Sequence, residues 1–137
     1  MKLPDPPLLL ITDRAIARRS LEDTVASAIV GGCRWVMVRE KDMEPAERRD
    51  LVARLVEFAR PEDALVTVNG DLEAAAIGNG VHLPQGQSCA HAREVLGPDK
   101  LIGVSAHDIG EADAAAGAGA DYVTMSPVFP TNSKPGY

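Results

Sequence analysis

Six short apolar runs alternate with amphipathic segments along this chain, and each run ends in polar residues. Leu8-Leu9-Leu10-Ile11-Thr12 delivers Asp13-Arg14, Trp35-Val36-Met37-Val38 delivers Arg39-Glu40-Lys41-Asp42, and Ala64-Leu65-Val66-Thr67-Val68 delivers Asn69-Gly70-Asp71. Val81-His82-Leu83 leads to Pro84-Gln85-Gly86, and Leu101-Ile102-Gly103-Val104 leads to Ser105-Ala106-His107. The last run, Ala120 to Met125, opens into a loop of Pro, Ser and Thr that carries Lys134. Continuous apolar runs without polar alternation are the pattern of strands buried on both faces, which a parallel sheet covered by helices requires. In such folds the chemistry collects in the loops beyond the carboxyl ends of the strands.

The intervening segments read as helices. Ser20 is placed to cap a helix over Leu21–Val30, with Asp23 as a weaker capping-box acid, Leu21, Val25, Ala28 and Ile29 on one face, and Gly31-Gly32 as the stop. Pro45 opens a helix that runs to Ala59, with Leu51, Leu55, Val56 and Phe58 as its apolar stripe. Shorter helices are expected over Leu72–Ile77, over Ser88–Leu96 with Gly97-Pro98 ending it, and over Ile109–Ala116 with Asp108 as the cap. A strand-helix repeat of roughly 20 to 28 residues marks successive right-handed crossovers. Two architectures satisfy it: an open doubly wound sheet, or a (β/α)₈ barrel of which six strands are present. A whole barrel typically takes about 250 residues, so a length of 137 residues on its own favours the open sheet.

Composition narrows the functions open to such a domain. A net charge of −6 and 4% aromatic residues argue against a nucleic-acid surface, so any anion site must be a local focus of cations. No apolar run approaches the ~20 residues of a bilayer span, and no basic segment precedes one, so neither a membrane anchor nor a secretion signal is expected. Cys33 and Cys89 are too few and too far apart to suggest a disulfide scaffold or a zinc site, which fits a reduced cytoplasmic compartment.

The strand-end residues, taken together, resemble the thiamine-phosphate synthase and TenI superfamily. The blocks that carry the likeness are Ile11-Thr12-Asp13-Arg14, Arg39-Glu40-Lys41-Asp42, Gly80-Val81-His82-Leu83, Ile102 to His107, Gly119 to Tyr122, Pro127 to Thr131 and Ser133 to Gly136. The resemblance implies a (β/α)₈ TIM barrel, truncated here to about six strands, with residues 1–137 forming one partial domain. In that family a seventh and an eighth strand bear glycine-rich loops that hold the thiazole phosphate. Without them the first and sixth strands are expected to present open edges, which a second copy of the chain can close.

The same resemblance implies a phosphorylated thiamine-pathway ligand and assigns residues to it. Arg39, Lys41 and Lys134 would hold a pyrophosphate, Asn69 and Ser105 would hydrogen-bond it or the pyrimidine, and Thr131 and Ser133 would face the thiazole phosphate. Three positions depart from the synthase pattern: Met37 stands where a glutamine is common, Gly70 and Gln87 where the magnesium-binding aspartates stand. The expectation is therefore no metal and no cofactor, with Mg²⁺ only in a true synthase, and a TenI-like tautomerase in which His107, with Ser105 beside it, moves the proton. The alternatives are a synthase proper and an inactive phosphate-binding relative. Plainer readings stand beside these: Arg39 and Lys41 as salt-bridge partners of Glu40 and Asp42, His107 as a helix-start residue bonded to the backbone, and His82 as a satisfied core histidine.

Overall fold

The computed structural model describes residues 2–133, 135 and 136. Six strands and five α-helices alternate: β1 Leu9–Ile11, α1 Leu21–Val30, β2 Trp35–Val38, α2 Pro45–Ala59, β3 Leu65–Asn69, α3 Leu72–Ile77, β4 Gly80–Leu83, α4 Cys89–Leu96, β5 Leu101–Ala106, α5 Ile109–Gly117 and β6 Tyr122–Met125. All strand pairs are parallel and lie in sequence order, β1 to β6. The helix starts follow local chemistry. Ser20, Asp71, Ser88 and Asp108 each accept an amide of the first turn with the side chain, and Pro45 occupies the first position of α2.

The helices cover one face only. Val36, Val38, Val66, Val68, Val81, Leu83 and Ile102 pack in a single cluster with Leu21, Val25 and Ile29 of α1 and Leu51, Val52 and Leu55 of α2. The other strand parity, Trp35, Met37, Thr67, His82 and Leu101, is also buried but lies outside that cluster. This is the distribution of a barrel wall rather than of a doubly wound sheet, and it corrects the inference from length. Phe58, expected in the apolar stripe of α2, is 46% exposed, and Val52 and Ala59 take its place against the sheet.

The wall curls. Trp35 on β2 and Tyr122 on β6 meet edge to face with ring centroids 4.9 Å apart. Four strand spacings separate them in the sheet, which would be about 19 Å in a flat one. The six strands therefore form a half-barrel, with β1 and β6 at its two free edges. Among the described residues no helix is long and apolar enough to cross a membrane.

Candidate functional site

The polar residues beyond β1 and β2 form one clasp. Glu40 is only 4% exposed. Its Oε2 accepts the Thr12 hydroxyl at 2.8 Å, and its Oε1 accepts both the Arg14 amide and Arg14 Nη1 at 3.0 Å. Thr12 Oγ1 in turn accepts the Arg39 amide at 3.0 Å. The Arg14 guanidinium also grips Asp42 with two bonds of 2.9 and 3.2 Å, and this pairing holds the Asp42 carboxyl below its ordinary range. Behind the clasp, Arg48 of α2 donates to the carbonyls of Glu40 and Met43 and to Asp71. Buried charges must be paired in this way to be tolerated.

The clasp decides the fate of the Arg39-Glu40-Lys41-Asp42 run. Both carboxylates turn to Arg14, so the salt bridges weighed for Arg39 and Lys41 do not form. The Arg39 and Lys41 side chains are exposed and have no hydrogen bond or ion pair to any described residue. Arg39 lies one step beyond the Val38–Val68 register pair, level with Asn69, and both share the inward parity of Met37 and Thr67. Asn69 is half-buried at the same rim.

The β4–β6 side of the lumen holds a second network. His82 places Nε2 2.8 Å from Ser105 Oγ and Nδ1 2.9 Å from Tyr122 Oη. Burial lowers the His82 pKa to about 4 and raises that of the Tyr122 phenol. Trp35 Nε1 donates to Thr67 Oγ1 at 3.2 Å, so every strand from β2 to β6 contributes to the inner belt. Gly103 has to be glycine here, because a Cβ at that position would fall inside the Tyr122 ring.

Ser105 and His107, expected side by side, bond different partners. Ser105 faces inward from β5 and places its hydroxyl on His82, whereas β5 ends at Ala106 and His107 opens the turn into α5. There Glu111 Oε2 accepts the His107 amide at 2.6 Å and sits 3.1 Å from His107 Nδ1. Glu111 Oε1 accepts Gln85 Nε2, which ties the β4 and β5 loops together. Thr131 and Ser133 share an exposed turn, with their hydroxyls 3.0 Å apart. Lys134 lies outside the described residues. The residues the sequence reading passed over are Arg14, Glu111 and Tyr122. The first two carried a signal in hindsight: Arg14 at a strand end, and Glu111 four residues after His107 on a helix.

The positions of the two replaced aspartates are neighbours. Gly70 has φ +72°, and a Cβ built there would lie 3.8 Å from Gln87 Nε2. Gly70 brings no donor and Gln87 only a neutral amide. Asp71 already accepts the Ala74 amide and Arg48; burial pushes its carboxyl up, but those two partners outweigh burial and hold it below the ordinary range. Mg²⁺ takes carboxylate oxygens, and this donor set does not fit it. Among the described residues no group of three or more His, Cys, Asp or Glu side chains gathers as a metal site.

A half-barrel of parallel βα units with unpaired cations at the carboxyl rim defines a barrel protein whose rim suits an anionic ligand. The sequence model of the family described as thiamine monophosphate synthase matches residues 8–137, and the chain belongs to that family. The chain is 40% identical over 134 residues to a thiamine-phosphate synthase of Solidesulfovibrio magneticus, an alignment covering 95% of this chain and 64% of that protein. It is 41% identical over 133 residues to a thiamine-phosphate synthase of Clostridium botulinum, covering 93% and 64%. The solved thiamine phosphate pyrophosphorylase from Pyrococcus furiosus superposes with a TM-score of 0.81 at 30% identity, over 90% of this chain and 61% of that one. The chain thus spans 64% of the length of these curated relatives.

Proposed function

We propose that the carboxyl rim of the half-barrel binds a phosphorylated thiamine precursor, and that its chemistry is the joining reaction after which the relatives are named. The observation that carries this reading is the pair of exposed, unpaired cations Arg39 and Lys41 in a chain of net charge −6. In the joining reaction a pyrophosphate departs as positive charge develops on the pyrimidine. Cations fixed at the leaving group lower that barrier because they need no reorganisation at the moment of reaction. Arg39 and Lys41, with Lys134, take this part, Asn69 stands level with Arg39 to orient the ligand, and Thr131 and Ser133 serve the second phosphate. No step is assigned to Mg²⁺.

A second reading is favoured by Gly70 and Gln87. With no carboxylates at those positions, a metal-independent proton transfer on a thiazole phosphate suits the rim better, and His107 is its acid/base. Glu111 beside Nδ1 orients the imidazole for that role. Calorimetric titration separates the readings. Saturable binding of the hydroxymethylpyrimidine pyrophosphate, weakened at least tenfold in Arg39→Ala/Lys41→Ala, is expected for the first. Preference for carboxythiazole phosphate, with tautomerase turnover abolished in His107→Ala, is the result expected from the second. No heat with either ligand from the folded chain counts against both.

A further inference from the structure

We propose that Arg14 is a positioning residue for the anion site: it takes up both carboxylates of the Arg39-Glu40-Lys41-Asp42 run and so keeps Arg39 and Lys41 available. The inference rests on the reading of the rim as an anion site, and it adds a residue that touches no ligand. Cations and carboxylates alternate along these four positions, and left to themselves such neighbours neutralise one another. The geometry prevents it. One guanidinium from the β1 loop reaches Glu40 at 3.0 Å and Asp42 at 2.9 and 3.2 Å, a forked arrangement that only arginine offers. Thr12 and the Arg14 amide hold Glu40 from the same loop, and the Arg39 amide bonds back to Thr12, so the arginine's own backbone is pinned while its side chain is left without a partner. Arg48, on the opposite side, spends its guanidinium on the Glu40 and Met43 carbonyls and on Asp71. Among the described residues, Arg14 is therefore the cation that pairs with Glu40 and Asp42.

The decisive experiment removes the counter-ion and then the competitor. Inorganic pyrophosphate is titrated into the wild-type chain, Arg14→Gln, Asp42→Asn and Arg14→Gln/Asp42→Asn, with urea unfolding run on each to confirm folding. In Arg14→Gln the released Asp42 turns to Lys41 or Arg39, and affinity is expected to fall roughly three- to tenfold, more at low salt than at high. The double variant is expected to recover most of that loss, since Asp42 can no longer compete. Unchanged affinity in folded Arg14→Gln overturns the proposal, as does a loss that the double variant fails to recover, because a merely structural arginine gives that result. The Lys41 and Arg39 side-chain nitrogen signals, followed by NMR without ligand, keep the two readings distinct. An ion pair of one of them with Asp42 is expected to appear in Arg14→Gln and to vanish in the double variant even if the wild-type chain binds no pyrophosphate, and side-chain signals identical in all four chains refute the counter-ion role.

Discussion

Acidification is expected to weaken this fold through one side chain, His82. Its imidazole is 4% exposed, lies between Ser105 and Tyr122, and has its pKa lowered by burial to about 4. The unfolded chain binds that proton near the ordinary value of about 6.5. Between these two values the unfolded state holds the proton and the folded state does not, so stability is full above about pH 6.5 and declines as pH falls toward about 4. At about pH 5 the difference amounts to roughly 2 kcal/mol. With a urea m-value of about 1–3 kcal/mol/M, the denaturation midpoint is expected to drop by about 1 M between about pH 7.5 and pH 5. The carboxylates with lowered pKa, Asp42, Asp71 and Asp121, contribute above their unfolded values and lose that contribution only below about pH 4, so they leave this window clear. His82→Gln, which keeps an amide between the two hydroxyls, is expected to be less stable at neutral pH but nearly flat across the window. A wild-type midpoint that does not move, or a His82 ring signal titrating near pH 6.5, refutes the reasoning.

Gly103→Ala forces the Tyr122 ring off β5 and is expected to cost about 1–3 kcal/mol, with loss of the Tyr122–His82 bond visible in the His82 ring chemical shifts. Gly70→Asp/Gln87→Asp places two carboxylates at adjacent positions and is expected to make pyrophosphate binding tighten with added Mg²⁺, an effect not expected of the wild-type chain; the positive φ at position 70 costs about 1–2 kcal/mol of stability, read by urea unfolding.

Element types and order were legible in the residues because the period changes from continuous apolar runs to helical stripes at each boundary, and because Ser20, Pro45, Ser88 and Asp108 announce their helices locally. The curl was not. Leu8 to Thr12 reads the same in an open sheet and in a barrel, and what distinguishes them is a contact between Trp35 and Tyr122, whose separation along the chain hides their meeting. At the rim, the positions of Arg39, Lys41 and Asn69 followed from strand ends alone. Their pairing did not, since a run of alternating charges says nothing about a third party, and Arg14 arrives from another loop. The partners of Ser105 and His107 escaped for a similar reason, since His82 and Glu111 arrive from other elements. Phe58 escaped because the buried face of α2 runs through Leu51, Val52, Leu55 and Ala59, which leaves Phe58 at its margin.

Trp35 is the only tryptophan of the chain, and it sits where the arc folds back on itself, its indole N–H on Thr67 and its ring against Tyr122. Its light emission therefore reports the opening of the half-barrel at a single place. Excitation energy absorbed by Tyr122 passes to Trp35 while the rings touch and stays with the tyrosine once β6 swings away. In a Tyr137→Phe chain, whose one tyrosine is Tyr122, the ratio of the two emissions gives an optical gauge of how far the wall is closed, free of any label, in which the seating of a ligand or of a further strand at the free edges can be watched as it happens.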